Sequence, residues 1–220
     1  MNTEHLIERL AKDLTPVEPL RRPGRRAAVW LLGAALYIAI LTVAMSALGF
    51  ATHAGDARLL LPQLAAIVAG VLAATAAFAS VVPGYSKHVL VWPPIAAALV
   101  WLGTLIVGSL SQRQELVTIL SAEHEWLCVA QIVIGSAPLV AVLAMMLRRG
   151  APLNPALTAA LAAIAVGILA NVGACASTPH ANDAITLVWH GGAILALVLV
   201  CAWGARFVLT WGAARRGVSA

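Results

Sequence analysis

Polar residues crowd into the first 26 positions of the chain and then nearly vanish from six long apolar runs. In the opening MNTEHLIERLAKDL, the residues Leu6, Ile7, Leu10 and Leu14 fall at i, i+1, i+4 and i+8. That spacing draws one apolar stripe and predicts a short amphipathic helix over Thr3–Leu14. Glu4 and Glu8 stand early and Lys12 late, which suits the helix dipole. About three turns are too few for stability alone in water, so the helix lies on a membrane surface, lies on a partner, or frays. Pro16 and Pro19 stop it, and Thr15–Leu20 is expected to be extended.

The apolar runs follow at about Ala27–Phe50, Leu59–Val82, Val89–Leu110, Trp126–Leu147, Pro155–Ala176 and Ala184–Ala205. Each is near the ~20 residues that cross a hydrocarbon core. Lipid offers the backbone no hydrogen-bond partner, so runs of this length must be helical. Pro62, Pro93, Pro94 and Pro155 lie near predicted helix starts, where proline is tolerated. Pro138 falls inside the fourth run, where a kink is expected. The abundant Ala and Gly let such helices approach closely, held by dispersion more than by the hydrophobic effect.

Composition strengthens this reading. The 220 residues are 61% apolar and 10% charged, with a mean hydropathy of +0.92, whereas a soluble domain carries roughly 25% charged residues. A soluble fold is excluded. The polar N-terminus is too long for a cleavable signal peptide and the run after it is long enough to span. RRPGRR lacks the context of a twin-arginine signal and reads as an anchor. The expected fold is all-α: a polytopic membrane bundle of six transmembrane helices carrying a short cytoplasmic amphipathic helix. Its parts are a cytoplasmic N-terminal, partner-binding segment (1–26), the bundle (27–205) and a basic cytoplasmic tail (206–220).

Charge then sets orientation. Of the 14 Lys and Arg, all but Arg58 and Arg113 fall on one side of the spans; the other side holds Asp56, Glu115, Glu123, Glu125 and Asp183. By the positive-inside rule both termini of this multi-pass chain face the cytoplasm. The net charge of +5 is thereby absorbed by topology. The arginine cluster has no interleaved aromatics, and attraction to anionic membrane lipid accounts for it. No direct nucleic-acid partner is expected.

Chemistry-bearing residues are few. Cys128 lies about one turn into the fourth span from the outer face and Cys175 at the outer end of the fifth, so the two thiols reach similar depth. Cys201 sits near the inner end of the sixth span, as a packing residue. His124 and Cys128 are four apart, and His180 follows Cys175 by five. Thiolate and imidazole together suit zinc-, cadmium- or copper-like ions, so His124, Cys128, Cys175 and His180 form a candidate metal set. The spacing matches no recognised zinc motif. Packing cysteines and interfacial histidines at a helix mouth remain the competing reading.

A second constellation pairs Ser136 in the fourth span with His190 in the sixth, as in a rhomboid-type intramembrane serine protease. Ser136 is followed by Ala137 and Pro138 and lacks the Gly-x-Ser-Gly surroundings of that class. The competing reading has His190 hydrogen-bonded within the bundle, with Asn171 and Gln131 as interhelical glue. The spans carry no carboxylate of the kind that coupled transporters use, which disfavours a pump. No catalytic residue is assigned, the chain is not read as an enzyme, and no cofactor is called for.

The opening LIERLAKDLTPVEPLRRPGRR runs straight into six spans. MLRRGAPLNPALTAALAA leads into the fifth, and a further outer loop precedes ITLVWHGGAI. In these segments the chain resembles the NrsF family of membrane anti-sigma factors. The resemblance implies a cytoplasmic N-terminus that restrains an extracytoplasmic-function sigma factor, with Leu6, Ile7, Leu10 and Leu14 as its contact stripe. It also implies two outward-side cysteines, Cys128 and Cys175 here, as a redox sensor answering a thiol-reactive metal ion or oxidant. One departure stands out. The family runs Cys-Pro after the second cysteine, whereas Ala176-Ser177-Thr178 intervenes here before Pro179.

Overall fold

A computed structural model describes residues 3–12, 21–48, 57–112, 125–150, 152–177, 184 and 186–209. Among them the chain is helical with no strand, and six helices are long and apolar enough to cross a membrane. The N-terminal helix covers Thr3–Lys12. The spans are Pro23–Ala47, Ala57–Ala79, Lys87–Gln112, Glu125–Arg148, Pro155–Ser177 and a composite sixth. That sixth span begins as a π-helical turn, Thr186–His190, and continues as an α-helix over Gly191–Val208.

Several boundaries move outward from the apolar runs. The first span starts at Pro23, four residues before the predicted Ala27, because proline is accommodated in the first helical turn where its missing N–H is not needed. The fifth starts at Pro155 for the same reason, and Asn154 caps it: its Oδ1 accepts the Leu157 N–H at 3.2 Å. The sixth reaches Val208, with Arg206 in its last turn. There the Arg206 guanidinium lies 4.6 Å over Trp203 and 4.8 Å over Phe207, an interfacial aromatic anchor of the kind seen at span ends. The fourth helix is continuous through Pro138.

The fifth span is the axle of the bundle. It is 61% buried inside the protein, against 11–39% for the other five. The first, second, fourth and sixth spans pack on it, and the third leans on the second. Small residues make this possible. Gly70 of the second span faces Leu169 of the fifth so closely that an added Cβ would sit 2.8 Å from Leu169 Cγ. Just after the fourth span Gly150 meets Val81 in the same manner, at 2.9 Å. Ser80 and Thr158 add a 2.8 Å hydroxyl hydrogen bond between the end of the second span and the fifth.

Two larger clusters fill the interior. One joins Trp30, Phe78, Leu139, Leu143 and Val166; the other joins Ala66, Trp101, Leu105, Ile168 and Ile194. Outside, large apolar side chains stay exposed along every span but the fifth: Leu36, Leu61, Trp92, Ile134 and Leu199 are all more than half exposed. A soluble monomer rarely carries apolar surface on this scale. It is the lipid-facing side of a multi-pass membrane protein.

Candidate functional site

The polar groups buried near the C-terminal end of the fifth span gather around Cys175. One turn earlier on the fifth span stands Asn171, and across from both is His190, the last residue of the π-turn. Cys175 is 5% exposed, Asn171 2% and His190 0%. The π-turn matters to this placement. A turn closed by i→i+5 bonds carries an extra residue and commonly appears at functional sites. Here it buries both Thr186 and His190 at the start of an otherwise apolar helix.

His190 Nδ1 lies 2.6 Å from Asn171 Oδ1. An amide oxygen only accepts, so Nδ1 carries the ring proton and donates it. Cys175 Sγ donates to the same Oδ1 at 3.7 Å and sits 3.9 Å from Nδ1. The nitrogen facing the sulfur is therefore the protonated one. The Nδ1 proton is directed at the Asn171 oxygen, and the thiol lies alongside that hydrogen bond. Ala170 and Ala174, the chain neighbours of Asn171 and Cys175, pack with Val129 and Ile132 of the fourth span and Ala193 of the sixth in a small apolar cluster.

The sequence-derived candidates distribute unevenly over this geometry. Cys128 belongs to the fourth helix, four residues before Ile132, and its side chain lies outside the described set. His124 and His180 also lie outside the described residues. Among the described residues no group of three or more His, Cys, Asp or Glu could hold a metal ion. Cys201 is half-buried far from Cys175, bordering an apolar cleft of about 210 Å³ between the fourth, fifth and sixth spans.

The protease pairing is not formed. The Ser136 hydroxyl donates to Val133 O at 2.9 Å, and among the described residues His190 is bonded to Asn171 instead. The interhelical reading of His190 and Asn171 holds. Their proximity to Cys175 was missed from sequence, although Asn171 and Cys175 stand four apart and so share a helix face. His190 had no such local signal, because nothing in the sequence marks a π-turn.

The N-terminal stripe is only partly visible. Ile7 is 61% exposed, and the described side chains of its helix, Glu4 and Lys12 among them, all face out. The side chains of Leu6 and Leu10 are outside the described set, and Leu14 lies beyond the described residues.

Residues 10–211 match the model of a protein family, NrsF, described as "Negative regulator of sigma F". No curated protein matches the chain, and no solved structure does.

Proposed function

The chain belongs to the NrsF family, whose members are negative regulators of a sigma factor, and on that premise we propose how it holds its partner and lets it go. The N-terminal segment sequesters an extracytoplasmic-function sigma factor at the cytoplasmic face of the bacterial inner membrane. Leu6, Ile7, Leu10 and Leu14 supply the contact. A thiol-reactive metal ion or an oxidant acts on Cys128 and Cys175 from the outward side, rearranges the fourth and fifth spans and weakens that contact.

The observation that carries this reading is the exposed N-terminal helix. It is a short amphipathic helix with Ile7 presented outward, and a stripe of that kind is a groove-seeking element. Support for the sensor half comes from Cys175, set on the most buried span and held between Asn171 and His190. A change at its sulfur must be accommodated by the helix against which four others pack. A signal works here only by favouring one bundle arrangement over another.

Transcription from a sigma-dependent reporter tests both halves. Leu10→Glu, or deletion of residues 3–12, is expected to release transcription without any stimulus; unchanged repression would refute the tail as effector. Cys128→Ser with Cys175→Ser is expected to leave repression in place while abolishing the response to a cadmium salt or to diamide. A normal response in that double variant would remove the cysteines from the mechanism.

A further inference from the structure

Arg25 and Arg26 are neighbours in the first turn of the first span, yet they behave oppositely. Arg25 is exposed, as a basic residue at a membrane boundary is expected to be by extending its stem toward water. Arg26 turns inward and is only 8% exposed. One arm of its guanidinium, Nη2, donates to the backbone carbonyl of Met146 in the last turn of the fourth span. The plane lies 5.1 Å over the ring of Phe78 in the second span. The other arm, Nη1, is buried with no hydrogen-bond partner among the described residues.

That arrangement is poor as a stabilising device. A buried guanidinium loses its hydration, and an apolar side chain of similar volume often serves stability as well or better. An ionisable group retained in a span is a functional candidate by default.

One turn further along the same face, Trp30 Nε1 donates to Leu139 O at 3.4 Å. Leu139 immediately follows Pro138, the residue at which the fourth helix lacks an N–H and bends most easily. The first and fourth spans are thus joined twice, at the proline and two turns inward of it. Whatever moves the Leu139–Arg148 segment moves the root of the N-terminal segment.

We propose that Arg26 and Trp30 are positioning residues that clamp the base of the N-terminal segment to the inner half of the fourth span, so that a bend at Pro138 is delivered to the sigma-binding helix. This inference rests on the function proposed above and adds its missing link, the path from the fourth span to the tail. The clamp acts through backbone carbonyls, so it follows the helix axis and is indifferent to side-chain changes along it.

The test uses the full-length protein in its membrane with the sigma-dependent reporter, read as the ratio of stimulated to unstimulated transcription, with a cadmium salt and diamide as probes. Arg26→Met keeps the length of the stem and removes the donors; Trp30→Phe keeps an aromatic ring and removes the N–H together with part of the indole. Each is expected to cut the ratio at least fivefold at normal membrane abundance, while Arg26→Lys, which keeps a cationic donor, recovers most of it. Because Trp30→Phe is the milder change, it carries the test if Arg26→Met fails to accumulate. A wild-type ratio in both Trp30→Phe and Arg26→Met, or in Trp30→Phe where Arg26→Met fails to accumulate, overturns the clamp, provided that deletion of residues 3–12 still derepresses. If that deletion leaves repression intact, the function reading falls and the clamp falls with it.

Discussion

His190 in the π-turn and Asn171 in the fifth span are joined by a 2.6 Å hydrogen bond buried from both sides. It ties the start of the sixth span to the most buried helix of the bundle at the level of Cys175. Asn171→Leu removes the acceptor of a buried N–H and is expected to cost about 1–3 kcal/mol. His190→Leu is expected to cost a similar amount, and the double variant less than the sum. Unfolding in mixed detergent micelles measures all three, and strict additivity would show that the pair does not act as a unit.

The close seam between the second and fifth spans gives a second expectation. At Gly70 a new side chain runs into Leu169 at 2.8 Å, so Gly70→Val is expected to destabilise the bundle by about 1–3 kcal/mol through overpacking. Gly33 of the first span is exposed with nothing within 4 Å of an added Cβ. Gly33→Ala is expected to be neutral or slightly stabilising, since it improves helix propensity at no packing cost. Comparable losses at the two positions would place the tight seam elsewhere.

Ser80 and Thr158 meet at 2.8 Å, with Thr158 fully buried. Interhelical hydrogen bonds in membrane bundles are worth about 0.6 kcal/mol on average and under about 2 at most. Thr158→Val nearly conserves shape and is expected to lower stability by that amount, whereas Thr158→Leu also overpacks and loses more. An equal loss for both would assign the whole effect to the hydroxyl.

Orientation can be read directly. In a variant lacking Cys128, Cys175 and Cys201, new cysteines at Tyr85 and Leu153, which are 48% and 70% exposed after the second and fourth spans, are expected to resist an impermeant maleimide in intact cells. They should label once the membrane is opened. A cysteine at Thr118, between the third and fourth spans in the sequence, is expected to label in intact cells. The opposite pattern would invert the topology and with it the assignment of the N-terminal segment to the cytoplasm.

The division between what sequence determines and what folding decides has a simple physical origin in this chain. Six helices of spanning length follow from composition alone, because lipid leaves the backbone no partner but itself. The expected orientation follows from where Arg and Lys are allowed to sit. The N-terminal helix is visible because water demands a polar face opposite Leu6, Ile7 and Leu10.

Inside lipid that contrast disappears, since the face toward a neighbour and the face toward an acyl chain are both apolar. Nothing in the fifth run, PALTAALAAIAVGILANVGACAS, announces that it is the axle. Its place is decided by shape, through contacts such as Gly70 on Leu169, and by a few polar side chains that must find one another. Asn171 finds His190 because a π-turn brings the imidazole inward, and Arg26 finds Met146 because the fourth span ends beside it. Those meetings depend on helix order and register in three dimensions. They gather the groups from which the proposed sensing site and its proposed link to the tail are built.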